Sequence, residues 1–135
     1  MINQITAPRI ERLTRVAYWI VTILLCLNLF AGLFDIMQVD AIRQSTQGVG
    51  FPLTMLPFLG SIKIIGGFVI LFLNKPVLKI AAYAGTIFYF LGAIFAHLTI
   101  GQPFGMAVPA FVSLMLAVGS YLLWRNLTNV QVISR

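Results

Sequence analysis

The sequence has few charged residues and few of the residue types on which catalytic sites depend. Of its 135 residues 9% are charged, three are acidic, and cysteine and histidine occur once each. Three acidic residues make a paired-carboxylate site implausible, and a single cysteine excludes an internal disulfide or a Cys-x-x-Cys redox pair. One histidine and one distant cysteine form no credible metal site. We therefore expect no metal, no cofactor held by the chain's own motifs and no self-sufficient catalytic centre.

Apolar side chains, by contrast, make up 60% of the sequence. The mean hydropathy is +0.99, which lies well outside the range of soluble domains. A helix needs about 20 apolar residues to cross a bilayer, and the sequence contains four such runs, at residues 16–37, 52–73, 77–100 and 106–124. Backbone in lipid must form helices or a closed barrel, and runs without apolar-polar alternation favour helices. The sequence predicts an all-α integral membrane four-helix bundle, a single domain over residues 1–135 that contacts the lipid bilayer.

The links between the apolar runs predict how the helices are connected. Pro76, in the very short link "NKP", cannot continue the helix before it, so we expect the second and third spans to be antiparallel neighbours. The polar stretch 38–51 is predicted to hold a short amphipathic helix that ends at Gly48.

Basic residues near the span ends predict the orientation. Arg43 lies on one side of the bundle, and the other side has Arg9, Arg12, Arg15, Lys75, Lys79, Arg125 and Arg135. Because cytoplasmic ends carry the excess of lysine and arginine, we expect both termini to lie in the cytoplasm. The net charge of +6 is distributed over span ends, which indicates topology and no nucleic-acid partner.

One lysine lies inside the second apolar run, in the stretch "PFLGSIKIIGG". A charged side chain at the bilayer centre costs roughly 2.5–3.5 kcal/mol on insertion scales, so Lys63 needs a partner or a wet cavity. Gly60 and Gly67 lie three residues before and four after it, which places all three on a helix face that another helix can approach closely. We therefore expect Lys63 to point into the bundle.

The first and third spans carry similar small and polar faces. Their members are Asn28, Gly32 and Asp35 in the first span, and Gly85, Tyr89, Gly92, Ala93 and His97 in the third. Arranged around one axis, these faces would form a polar seam inside the bundle. Two interpretations of the seam remain open.

In the first interpretation the seam binds a ligand, for which a quinone is a candidate, or carries protons. Its candidate residues are Lys63, His97, Asp35, Asn28 and Tyr89. His97 and Asp35 are predicted to lie at a similar depth, as a proton relay would require.

In the second interpretation the same polar residues hold the helices together, with Lys63 paired either to Asp35 or to a backbone carbonyl freed by Pro57. If the first two spans begin level, Asp35 lies about half a membrane away from Lys63, which weakens this pair although the lysine stem can rise several ångströms. The candidate helix-packing residues are Gly32, Gly60, Gly67, Gly85, Gly92 and Ala93.

Two longer stretches, "GFPLTMLPFLGSIKIIGG" and "AAYAGTIFYFLGAIFAHLTIGQ", resemble the DoxX-like family of small four-helix membrane proteins. The resemblance covers residues 16–125, and the motif positions are occupied by Lys63, Gly67, Gly85, Gly92, Ala93 and His97. It implies a four-helix membrane fold. Some relatives are membrane subunits of thiosulfate:quinone oxidoreductases, others belong to bacterial membrane complexes linked to redox defence, and distant animal members assist receptor assembly.

The resemblance therefore implies an accessory or membrane-anchor subunit in the bacterial inner membrane, placed beside other membrane or redox subunits, whose seam binds a quinone or another small lipophilic ligand. If the chain takes part in catalysis, the resemblance implies at most a membrane subunit of an oxidoreductase complex. One alternative is a non-enzymatic assembly or interaction protein, in which the same residues specify helix pairing. Another is a small carrier formed as a homo-oligomer.

Overall fold

The fold is known from a computed structural model that describes residues 2–133, with the side chains of 8–129. Over these residues six α-helices follow one another: α1 (Ile2–Phe30), α2 (Gly32–Ile36), α3 (Asp40–Gly48), α4 (Leu56–Phe72), α5 (Pro76–Thr99) and α6 (Val108–Ile133). Short 3-10 turns, Leu53–Met55 and Phe104–Met106, precede α4 and α6. No residue in 2–133 forms a β-strand, so the predicted all-α class is confirmed.

Four segments of the described chain are long and apolar enough to cross a membrane, and they confirm the predicted number of spans. They are Pro8–Ile36, Leu53–Phe72, Pro76–Thr99 and Val108–Asn129. The protein is therefore a multi-pass membrane protein.

Two helices differ in extent from the apolar runs that predicted them, each for a physical reason. α1 begins at Ile2, well before residue 16, because exposed arginines end an apolar run without ending a helix. α6 begins at Val108 because Phe104–Met106 forms a separate turn. Arg135, one of the basic residues counted for topology, lies outside the described residues.

The amphipathic helix predicted within residues 38–51 is present as α3, and it ends at Gly48 as expected. None of its residues is buried, so it lies on the bundle rather than in it. The backbone on either side is in the left-handed region, with φ of 52° at Gln38 and 73° at Gly50. Glycine adopts this conformation without steric cost, which explains the residue at the second of these turns.

The helices bury a small apolar core and expose a large apolar surface. α1 packs against α4 and α6, α5 packs against the same two helices, and α2 packs against α4. The core contains Leu25, Leu29, Ile70, Tyr83 and Phe90. At most 33% of the apolar window of any span is buried, and phenylalanines such as Phe58 and Phe95 point outwards. A surface this apolar is suited to contact with acyl chains.

Helices α2 and α4 approach each other closely where Gly32 meets Gly60. A Cβ atom on Gly32 would lie 2.6 Å from the Gly60 carbonyl oxygen, and a Cβ atom on Gly60 would overlap the Gly32 carbonyl oxygen. Only glycine fits at either position. The contact sets the end of the first span against the first half of α4, and this brings Asp35 to the level of Lys63.

Candidate ligand site

Lys63 and Asp35 form a buried ion pair between α4 and α2. The Lys63 Nζ lies 3.0 Å from the Asp35 Oδ2, and the two side chains are 13% and 7% exposed. The sequence alone did not decide whether Lys63 pairs with Asp35, because the predicted spans place the two residues about half a membrane apart in depth. The glycine contact removes that difference, because the first span ends beside Gly60, several residues after the second span begins at Leu53. A charge-assisted hydrogen bond of this length satisfies both groups away from water.

Tyr89 of α5 lies beside this pair. Its ring centroid is 5.9 Å from the Lys63 Nζ, which is within the range of a cation–π contact. Tyr89 also lines two cavities.

The first of these, the α3–α5 cavity, is enclosed by α3, the start of α4 and the second half of α5. Its volume is about 390 Å³, within the range of small-molecule sites. Its polar lining comprises Ser45, Thr46, Tyr89 and His97, and its apolar lining includes Phe51, Leu59, Phe88, Gly92 and Ala93. The cavity thus combines apolar walls with a few polar groups, as ligand sites in proteins commonly do.

His97 has a defined partner in this cavity wall. Its Nδ1 lies 2.7 Å from the Oε1 of Gln102, in the loop after α5. Because an amide oxygen only accepts, Nδ1 carries the proton and Nε2 keeps the lone pair in the neutral ring. The hydrogen-bond partner of His97 is therefore Gln102 and not Asp35, so the structure provides no direct contact for the proposed relay between His97 and Asp35.

Gln102 was not predicted from the sequence. Its side-chain nitrogen would be 2.8 Å from a Cβ atom on Gly48, so it occupies the space that the glycine at the end of α3 leaves empty. Gln102 thereby links His97 to α3. The spacing of five residues between His97 and Gln102 crosses the end of a helix, so no helical periodicity could have identified the pair.

The second cavity, the α4–α5 cavity, has a volume of about 300 Å³. Lys63, Thr86 and Tyr89 contribute its polar groups, and its apolar lining includes Ile62, Ile65, Gly66, Val69, Ala81 and Gly85. It is the more apolar of the two cavities.

The structure divides the predicted packing residues into two groups. Gly32, Gly60 and Gly67 lie against another helix. Gly85 and Gly92 have open space where a Cβ atom would be, and instead line the α4–α5 and α3–α5 cavities respectively, the latter together with Ala93. Asn28, predicted as part of the seam, is half-buried on α1 and lines neither cavity.

A second polar cluster lies where α1, α5 and α6 meet, and we name it the Lys79 cluster. Lys79 is 7% exposed, and its Nζ donates to the Tyr18 hydroxyl at 3.3 Å. The ring centroids of Tyr18 and Trp124 each lie 5.9 Å from this nitrogen. The sequence interpretation treated Lys79 only as an orientation signal because it follows closely on the start of a span.

Next to the Lys79 cluster, three buried hydroxyl groups form hydrogen bonds with one another inside the bundle. The Ser120 hydroxyl is 2.7 Å from that of Thr22 and 2.8 Å from that of Tyr83. Lys79 and Tyr83 belong to the buried face of α5 and are four residues apart. That spacing was the available sign that Lys79 points inwards.

Comparison with known proteins agrees with this architecture. The sequence pattern of the DoxX-like family matches residues 19–120, a range that includes Lys63, Tyr89 and His97. No curated protein and no solved structure matches the chain. Because the family match extends over most of the sequence and all four spans, the chain belongs to the DoxX-like family.

Proposed function

We propose that this protein is an accessory or membrane-anchor subunit of a bacterial inner-membrane complex, and that it binds a quinone or another small lipophilic ligand. The observation that carries the proposal is the α3–α5 cavity, where Tyr89 and His97 meet apolar walls in a volume of about 390 Å³. A flat, mostly apolar ligand with polar oxygens at its edge suits such a lining.

The residues that line the α3–α5 cavity have different roles in binding the proposed ligand. Gly92 and Ala93 have little or no side chain, so a flat ring can lie close to the α5 backbone. The Tyr89 hydroxyl is available to donate to a carbonyl oxygen, and the His97 Nε2 is available to accept from a hydroxyl group. Gln102 holds the imidazole by its Nδ1, so the accepting nitrogen has a defined orientation.

The ion pair acts on this site through Tyr89. Lys63 does not line the α3–α5 cavity, and its ammonium group is already paired with Asp35. Its cation–π contact holds the Tyr89 ring in place. Lys63 and Asp35 are therefore proposed as positioning residues, while Tyr89 and His97 touch the ligand.

We also propose that both termini lie in the cytoplasm and that sequence neighbours among the spans are antiparallel. The contacts support the second point, because Gly67 lies against Leu29 whereas Gly60 lies against Asp35, so the residue numbers of α4 fall as those of the first span rise. Reporter fusions at residues 44 and 74 test the orientation. The first fusion is expected to be active only as a periplasmic reporter, the second only as a cytoplasmic one.

Filling the cavity tests the ligand proposal. Gly92→Leu places a side chain in the α3–α5 cavity, and Gly85→Leu is the matched control, because both glycines have open space at the Cβ position and lie on the same helix. Quinone that co-purifies in mild detergent is extracted and quantified per chain by mass spectrometry. We expect a loss of at least about tenfold for Gly92→Leu, since a filled pocket excludes its ligand, and wild-type content for Gly85→Leu.

Equal quinone content in both variants would exclude the α3–α5 cavity as the site. Absence of quinone and of any other lipophilic molecule from the wild-type protein would contradict the function itself.

A non-enzymatic assembly role is the alternative, and the open face at Gly85 favours it. Nothing lies within 4 Å of a Cβ atom on Gly85, so a helix of a client protein could approach α5 closely there. In that case Gly85→Leu would abolish co-purification of a client protein while Gly92→Leu would retain it, the reverse of the result expected for the ligand.

A further inference from the structure

The Lys79 cluster contains a buried positive charge that no acidic side chain within residues 8–129 balances. Lys79 is 7% exposed, and its contacts in the described part of the chain are the neutral Tyr18 hydroxyl and two aromatic rings. An ammonium group has three N–H donors, of which this hydroxyl accepts one. A buried charge is stable only when it is paired or its donors are satisfied.

The acidic residues of the chain lie elsewhere in the fold, and two of them are paired with other basic residues. There are three of them, and all lie within the residues whose side chains are described. Glu11 binds Arg15 at 2.8 Å, and Asp35 binds Lys63 at 3.0 Å. Asp40 begins α3, which contacts α2 and the turn before α4. A counterion for Lys79 must therefore come from a source other than these side chains.

The surroundings of Lys79 favour an anion at the level of the lipid headgroups. Lys79 lies three residues after Pro76, where the span begins, and tryptophan and tyrosine beside it are the aromatic residues typical of the membrane interface. Lys75, one helical turn earlier, and Arg125, next to Trp124, are both exposed. Basic groups between transmembrane helices at this level are suited to acidic lipid headgroups.

We propose that Lys79 and the Tyr18 hydroxyl, beside Trp124, bind a phosphate group carried by the headgroup of an anionic phospholipid. The phosphate oxygens accept from the remaining Lys79 donors, and Lys75 and Arg125 add long-range attraction. The acyl chains of the lipid lie along the exposed apolar surface of α1 and α5, where Trp19 and Ile80 point outwards. The site is separate from the α3–α5 cavity and does not depend on any ligand there.

Thermal unfolding of delipidated protein in neutral detergent tests the site. Phosphatidylglycerol is added in one series, phosphatidylcholine in a second and inorganic phosphate in a third. At a concentration about 100 times its Kd, phosphatidylglycerol is expected to raise Tm on the order of 10 °C, and phosphatidylcholine is expected to raise it much less. Lys79→Met should remove this difference between the lipids, whereas Lys79→Arg, which keeps the charge, and Arg12→Gln, an exposed basic residue outside the cluster, should retain it.

A second measurement covers the case in which Lys79→Met does not fold. Tyr18→Phe keeps the ring and loses only the hydroxyl, and native mass spectrometry then counts retained phosphatidylglycerol, which should fall several-fold. An equal rise in Tm with inorganic phosphate would identify free phosphate as the source of the same chemical group. Equal effects of the two lipids, or an undiminished lipid difference in Lys79→Met, would overturn the proposal, as would unchanged retention in Tyr18→Phe if Lys79→Met cannot be purified.

Discussion

Two lysines are buried in the membrane-spanning helices of this protein, and their charges are balanced in different ways. Lys63 lies near the middle of the span Leu53–Phe72 and has the carboxylate of Asp35 at 3.0 Å. Lys79 lies near the beginning of its span and has a hydroxyl group and two aromatic rings. The difference follows from depth, because a lysine in the hydrocarbon centre can obtain an anion only from protein, while a lysine near the headgroups is also within reach of lipid and water.

Removal of one member of the Lys63–Asp35 ion pair should lower the free energy of unfolding more than any other change considered below. Asp35→Asn leaves Lys63 without a carboxylate, and we expect the free energy of unfolding to fall by about 3–5 kcal/mol, because an uncompensated charge remains buried. The double variant Asp35→Asn/Lys63→Met removes both charges and should recover most of the loss. Denaturant titration in detergent micelles measures four proteins: the wild type, the single variants Asp35→Asn and Lys63→Met, and the double variant. If the effects of the two single substitutions simply add in the double variant, the two side chains do not stabilise each other.

A larger residue at the contact between Gly32 and Gly60 should lower the free energy of unfolding by a smaller amount. Gly60→Ala places a methyl group against the Gly32 carbonyl oxygen, and overpacking of this kind costs about 1–3 kcal/mol. The matched change Gly85→Ala meets open space and should be neutral, or stabilising by up to about 1 kcal/mol, because alanine favours a helix over glycine. The same unfolding titration compares them. Equal stability of the two variants would show that the helices do not meet as closely as the structure indicates.

Removal of the Lys79 charge should have the smallest effect in detergent without anionic lipid. Lys79→Met deletes a buried ammonium and leaves behind no unpaired carboxylate, so we expect a change within about 1 kcal/mol of either sign. Unfolding titration of Lys79→Met beside Lys63→Met checks this contrast. Similar losses in both would mean that the two lysines are balanced in the same way after all.

The sequence was sufficient for the features that depend on local pattern. Apolar length identified four spans, the polar composition of residues 38–51 identified α3, and the positions of Gly60 and Gly67 placed Lys63 on a face directed at another helix. Each of these properties follows from the chemistry of one segment in one environment, either lipid or the water beside it.

The features that depend on how two segments meet could not be predicted in the same way. Hydropathy locates a helix in the membrane only to within a few residues, and the offset between Asp35 and Lys63 is set by the contact of Gly32 with Gly60. The partner of His97 is in a loop, where helical periodicity gives no information about Gln102. Lys79 was assigned to the membrane surface from its place near a span end, although its side chain points between three helices.

The approach of Gly32 to Gly60 has a consequence for how this family member can change over time. At Gly32 and Gly60 a hydrogen atom takes the place of the Cβ atom that every other amino acid has, and this sets the register of α2 against α4. A larger residue at position 32 or 60 would push the two helices apart and separate Asp35 from Lys63. The residues that line the ligand cavity would be unchanged. Affinity could thus be tuned, or lost, at a position that never touches the bound molecule.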